Sequence, residues 1–171
     1  IDTSGADFSE CRRYRWALWR HWDWNGHGNC VMFIGLNPST ADESVDDPTI
    51  RRCIGFAKSW GYTGLYMLNL YAFRATEPAV MVAADDPVGP GNDEAFGYYR
   101  TRVGLIVAAW GTLPVRWRPR VAWQSRIARV RECIAKPLYC LGTTQDRSPR
   151  HPLYIKGDQK PEIFMQQPNQ E

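Results

Sequence analysis

Four short apolar runs punctuate the chain, at 31–36, 65–70, 105–110 and 138–141, with polar or glycine- and proline-rich stretches between them. Each has strand length and is apolar throughout rather than alternating, the pattern of a strand buried on both faces. After the first run, Pro48 opens a segment reaching to 60 in which Ile50, Ile54, Ala57 and Lys58 recur at roughly helical spacing. Proline suits a first helical turn, and Gly61 supplies a C-terminal stop. Further helices are expected over 92–102 and 121–135. Strands alternating with helices predict an α/β fold: a three-layer sandwich around a central, mostly parallel four-stranded sheet, with right-handed crossovers.

The first 30 residues fit this rhythm less well. Residues 11–24, CRRYRWALWRHWDW, alternate basic and aromatic side chains, and periodicity leaves a strand hairpin and a short helix both open. The stretch NGHGN at 25–29 then breaks the chain. The length of 171 residues fits one domain, with 1–30 as an N-terminal extension packed on the core, covering a sheet edge or shaping a groove.

Composition adds a bias toward aromatic and arginine side chains. Eight Trp, eight Tyr and six Phe make up 13% of the chain, and the basic residues are mostly arginine. Guanidinium forks suit phosphates and aromatic faces suit bases. The net charge of +3 does not by itself select nucleic acid. The five cysteines, at 11, 30, 53, 133 and 140, form no CxxC pair, which argues against a disulfide framework or a zinc ribbon and for free thiols in a reducing cytoplasm. No apolar run reaches about 18 residues, so no membrane helix is expected. The opening IDTSGADFSE lacks the basic-then-apolar layout of a signal peptide.

In open α/β sheets ligands bind outside the carboxyl ends of the strands. The unusual residues cluster at those ends: Gly35-Leu36-Asn37-Pro38-Ser39, Asn69, Trp110-Gly111, and a loop carrying Arg150-His151-Pro152-Leu153 after the last run. In this order they resemble the motifs of the uracil-DNA glycosylase superfamily. That superfamily has a first strand ending in Gly-x-(Asp/Asn)-Pro, a base-reading Asn after the second, a Trp-Gly or similar pair after the third, and a final motif beginning His-Pro. The resemblance spans 31–154. From Tyr14 onward the chain also resembles a bacterial and phage family with a GLNPSTAD…DDPTIRRC…GFA…WGY core.

The resemblance implies a uracil-DNA-glycosylase-like fold and a monofunctional DNA glycosylase. Such an enzyme hydrolyses the N-glycosidic bond of uracil or a modified pyrimidine after base flipping, through an oxocarbenium-like transition state. Asn37 would hold the attacking water; an amide is no general base, and Asp42, Asp46 or Asp47 could supply a carboxylate. The alternative for Asn37 is a left-handed turn before Pro38. Asn69 would read the base edge, or else cap a strand end. His151 would donate to the base as charge leaves onto it, or else be a surface loop histidine. Leu36, Tyr71 and Phe73 would contact the base, the aromatics alternatively serving the core. Leu153 and Tyr154, in an HPLY loop that departs from the family's His-Pro-Ser-Pro, would act as a wedge.

Ser39, Arg51, Arg147 and Arg150 would contact DNA, with Arg52 and the basic run Arg116, Arg118, Arg120, Arg126, Arg129 and Arg131 either joining them or forming a solvated helix face. His21 and His27 have no catalytic role. Neither a metal site nor a nucleotide-cofactor loop is visible, so no cofactor is expected. No lysine sits within the matched motifs to form a Schiff base, which fits a monofunctional enzyme. The expected partner is single- or double-stranded DNA, bound by a monomer. A non-catalytic nucleic-acid-binding module and a nucleoside hydrolase are the competing assignments.

Overall fold

The computed structural model describes residues 2–23 and 29–165, so His27 and most of the stretch at 25–29 lie outside the described residues. All four apolar runs are strands: β3 (Cys30–Gly35), β4 (Gly64–Asn69), β5 (Leu105–Ala108) and β6 (Leu138–Cys140). They pair in parallel in the order β4-β3-β5-β6. Three further strands extend the sheet. The hairpin of β1 (Thr3–Phe8) and β2 (Arg15–His21) adds antiparallel to β4, and β7 (Glu162–Met165) adds antiparallel to β6.

The expected central, mostly parallel four-stranded sheet is therefore corrected to a seven-stranded mixed sheet, ordered β1-β2-β4-β3-β5-β6-β7. The physical reason is burial. Strands β3 and β4 are buried at almost every position and read as solid apolar runs, whereas β1 and β7 are largely solvent-facing and β2 carries arginines and tryptophans. Hydrophobic pattern marks only the former. Of the segment 11–24, open between hairpin and helix, Arg15–His21 form strand β2 of a hairpin with β1, and the two strands extend the sheet beyond β4.

The crossover after β3 is helix α1 (Pro48–Ser59). Asp47 caps it, accepting from the Ile50 N–H at 2.9 Å, and Pro48 stands in the first turn where its missing N–H costs nothing. Its buried stripe is Ile50, Cys53, Phe56 and Ala57; Lys58, expected on that stripe, instead lies over the Trp22 ring in a cation–π contact. The chain then turns at Gly61, whose φ of +83° is open to glycine without strain. A short helix α2 (Pro78–Val82) precedes α3 (Asn92–Tyr99), and α4 (Trp123–Ile134) links β5 to β6.

Side chains alternate across the sheet as the pleat requires. Val31, Phe33, Leu65, Met67 and Val107 join α1 in one core layer; Met32, Ile34, Tyr66, Leu68 and Ile106 join α3 and α4 in the other. Helices thus cover opposite faces on either side of β3. The chain leaves β3 for β4 on one side and later returns to β5 on the other, so the strand order reverses between β3 and β5. Crevices form at such reversals, outside the carboxyl ends of the strands. Among the described residues no helix is long and apolar enough to cross a membrane.

Candidate functional site

A cleft of about 910 Å³ opens at that rim. It is lined by the ends of β3, β4 and β5, the N-terminus of α1 and the loop after β6, and its size suits a small ligand. Of the residues expected from the sequence, Leu36, Asn37, Ser39, Asn69, Arg150, His151, Leu153 and Tyr154 all line it.

Asn37 follows β3 and braces the rim. Its Nδ2 donates to the carbonyls of Pro38 at 3.1 Å, Ala75 at 2.9 Å and Phe73 at 3.4 Å, tying the loop after β3 to the loop after β4. Asn37 is not among the residues with positive φ, so the left-handed-turn alternative is set aside. With Nδ2 committed to carbonyls, Oδ1 is the atom left to accept a hydrogen bond from a ligand or water.

Asn69 ends β4 in register with Gly35 of β3. A Cβ at position 35 would sit 2.7 Å from the Asn69 Oδ1, so the glycine makes room for this amide. Asn69 is 3% exposed and its Nδ2 has no hydrogen-bond partner. It caps nothing: it is a buried donor facing a cleft. Trp110, 2% exposed after β5, holds a second such donor, the unpartnered indole Nε1–H, while its ring packs edge-on against Phe164 of β7. Buried donors without partners are rare and costly, and two of them, on Asn69 and Trp110, belong to residues that line this cleft.

His151 precedes a 3₁₀ turn (Pro152–Tyr154). Its Nδ1 accepts from the Leu153 N–H at 3.3 Å, which leaves the proton on Nε2 and makes that nitrogen a donor. Burial holds the imidazole below its ordinary pKa, against a weaker opposing pull from Asp47. Arg52 fastens this turn to α1 by donating to the carbonyls of Pro152 and Ile155. Arg52 is thus a positioning residue, not a free phosphate contact. Beyond the histidine, Leu153 and Tyr154 stand 44% and 82% exposed on the rim.

Four expected site residues lie elsewhere. Tyr71 is in the core, its hydroxyl donating to the Val121 carbonyl at 2.9 Å, and Phe73 packs against the Tyr14 ring; neither lines the cleft. Arg51 donates to the Asp46 carbonyl, and Arg147 sits exposed at a turn with φ of +62°; both are off the lining. Much of the basic run after β5 is committed internally: Arg118 to Asp146, and Arg126 and Arg129 to Asp93. Of the three candidate carboxylates, Asp42 closes its own turn onto Ser44 and Val45, and Asp46 pairs with Arg20. Asp47 lines the cleft.

Sequence reasoning missed Arg15, at the start of β2. Strand β2 runs antiparallel to β4, so its first residue lands beside the end of β4, and the Arg15 side chain enters the cleft lining. No local pattern signals this placement, which depends on a pairing between distant segments. Among the described residues no group of three or more His, Cys, Asp or Glu gathers as a metal site, and all five cysteines are free thiols.

The family model described as "Protein of unknown function (DUF1643)" matches residues 15–153. No curated protein and no solved structure matches the chain.

Proposed function

The chain belongs to the DUF1643 family, and we propose that it is a monofunctional DNA glycosylase removing uracil or a modified pyrimidine. The observation that carries the proposal is the convergence of Asn37, Asn69, Trp110 and His151 on one cleft, two of them with buried donors awaiting an acceptor. The likeness of the strand-end motifs to the uracil-DNA glycosylase superfamily supports the same assignment.

A pyrimidine presents carbonyl oxygens that accept from such donors. Asn69 Nδ2 would donate to one, and its Oδ1 would accept from the adjoining ring N–H. As the C1′–N bond breaks, its electron pair passes into the base, and His151 would donate from Nε2 to the carbonyl oxygen that gathers the charge. Asn37 Oδ1 would orient a water at C1′; the new C–O bond forms on the sugar and the water's proton is released. Asp47, which lines the cleft, would receive that proton. Lysine is absent from the cleft lining, consistent with hydrolysis and not Schiff-base chemistry. Leu153 and Tyr154 offer exposed apolar surface where a duplex would lose a base.

One observation favours a second assignment, a binding module without chemistry: the Asn37 amide is tied into the fold by three carbonyls, as a purely structural residue would be. A glycosylase panel separates the two. Labelled oligonucleotides bearing uracil, hypoxanthine, 5-hydroxymethyluracil or bulkier pyrimidines are incubated with the wild type, Asn37→Ala and His151→Ala. The expected outcome is alkali-labile sites with the wild type, and a rate about 10²–10³-fold lower with His151→Ala. DNA binding without cleavage of any substrate would support the module instead.

A further inference from the structure

Arg15 is 2% exposed, yet among the described residues it enters no ion pair. Its Nη1 donates to the Ala41 carbonyl at 2.8 Å, and its buried Nε has no partner. The fold treats its other buried guanidiniums differently. Arg20 has Asp46 and several backbone carbonyls, and Arg126 has Asp93 and the Leu70 carbonyl. A buried cation without a counter-ion is costly, and burial pushes Arg15 down to about 10 without discharging it at neutral pH.

The charged groups around it explain why no neighbour fills the gap. Asp47, Asp42, Arg74 and Arg20 face it. Asp47 is held by the cap of α1, and Asp42 by the N–H groups of Ser44 and Val45. Arg20 has its own carboxylate, and Arg74 lies over the Phe8 ring and donates to the Arg12 carbonyl. Both carboxylates already accept backbone N–H groups, and among the described residues neither forms an ion pair with Arg15.

A second feature points into the same space. The N-terminus of α1, twelve residues long, lines the cleft through Pro48, Thr49 and Ile50, and helix N-termini favour anions. The hydroxyl-bearing residues Ser39 and Thr49 complete the lining there.

We propose that this end of the cleft is a phosphate pocket in which Arg15 and the α1 N-terminus hold the phosphate attached to the bound nucleoside. For the nucleoside it rests on the glycosylase assignment; for the phosphate it rests on Arg15 and the residues that line the cleft beside it. The Arg15 guanidinium and the hydroxyls of Ser39 and Thr49 match the several oxygens of a phosphate, and Thr49 carries the helix-end N–H that neither Pro48 nor the Asp47 cap removes. Monoester and diester share this chemistry, so a free nucleotide and a DNA strand are both sources, whereas a free nucleoside lacks the group that the pocket selects.

Calorimetry would compare inorganic phosphate, deoxyuridine, deoxyuridine 5′-monophosphate and an oligonucleotide carrying a tetrahydrofuran abasic analogue. The nucleotide should bind about tenfold or more tightly than the nucleoside, and Arg15→Met should abolish that preference. Because Arg15 is buried, Thr40→Glu is the companion variant. Thr40 is exposed, lines the cleft and adjoins Ala41, so a carboxylate there should neutralise the pocket in a folded protein, with the same loss of preference. Competition between monophosphate and oligonucleotide assigns the source. Equal binding of nucleoside and nucleotide, a preference that survives both variants, or no binding of any phosphate-bearing ligand at millimolar concentration would overturn the pocket. A phosphate preference without base excision on the panel would leave the pocket standing and remove the glycosylase assignment; excision indifferent to Arg15 would do the reverse.

Discussion

His151 carries two constraints at once. Its Nδ1 must stay unprotonated to accept from Leu153, and burial enforces this by holding the pKa below the ordinary value of about 6.5. The unfolded chain therefore binds the proton first as pH falls. The stability contributed by this group is full above about 6.5 and is lost as pH drops through the folded value. Proton NMR titration should give His151, assigned by the resonance missing from His151→Gln, a midpoint below 6.5; a midpoint above about 6.5 would contradict a neutral buried imidazole. Gly35 is the matching steric constraint. Alanine there must displace Asn69, so Gly35→Ala should cost about 1–3 kcal/mol in thermal unfolding and also weaken cleft binding. Unchanged melting with unchanged binding would show that the amide has room to move.

Helices α3 and α4 are joined by one carboxylate. Asp93, in the first turn of α3, accepts from Arg126 at 2.6 Å and from Arg129 at 2.9 Å, both on α4. Burial raises its pKa, but the two guanidiniums outweigh burial and hold it below the usual range. Its stabilising effect is therefore present above the unfolded value of about 3.9 and is lost as pH falls through the folded one. Arg126 is 5% exposed, so removing its partner strands a buried cation. Asp93→Ala should destabilise the protein by about 3–5 kcal/mol in urea denaturation at neutral pH. A loss below about 1 kcal/mol would mean that solvent or another group takes over the charge. The arginine run left open in the sequence between DNA contact and a solvated helix face thus includes two that fasten a helix pair.

Stability should grade across the sheet from its centre outward. Strands β3, β4 and β5 are covered on both faces, whereas β1 and β7 are edge strands with exposed positions. Hydrogen exchange should find the slowest amides in β3, β4 and β5, with β1 and β7 opening at lower free energy. Uniform protection across all seven strands would show that the sheet opens only as a unit. The cleft spans this gradient, since Asn37, Asn69 and Trp110 hang from the central strands while His151 sits on a loop. Rigid elements thus hold the Asn69 and Trp110 donors, whereas the turn with Leu153 and Tyr154 is held through Arg52 of α1.

The apolar runs, the proline-led helix and the polar strand ends were legible in the sequence, because burial on two faces and strand termination are local properties written in consecutive residues. The edge strands β1 and β7 were not, because one-sided or partial burial leaves no continuous signal. The sequence also located Asn37, Asn69 and His151 at strand ends and loops without showing how they are held. Only the tertiary structure decided that Tyr71 is core and that Arg118, Arg126 and Arg129 have internal partners. Arg15 shows the division most plainly. In the sequence it is one arginine among several in a basic aromatic stretch. The antiparallel pairing of β2 with β4 carries it to the rim, buries it and leaves it without a counter-ion, and pairing between segments some fifty residues apart is a property of the folded sheet and not of either segment.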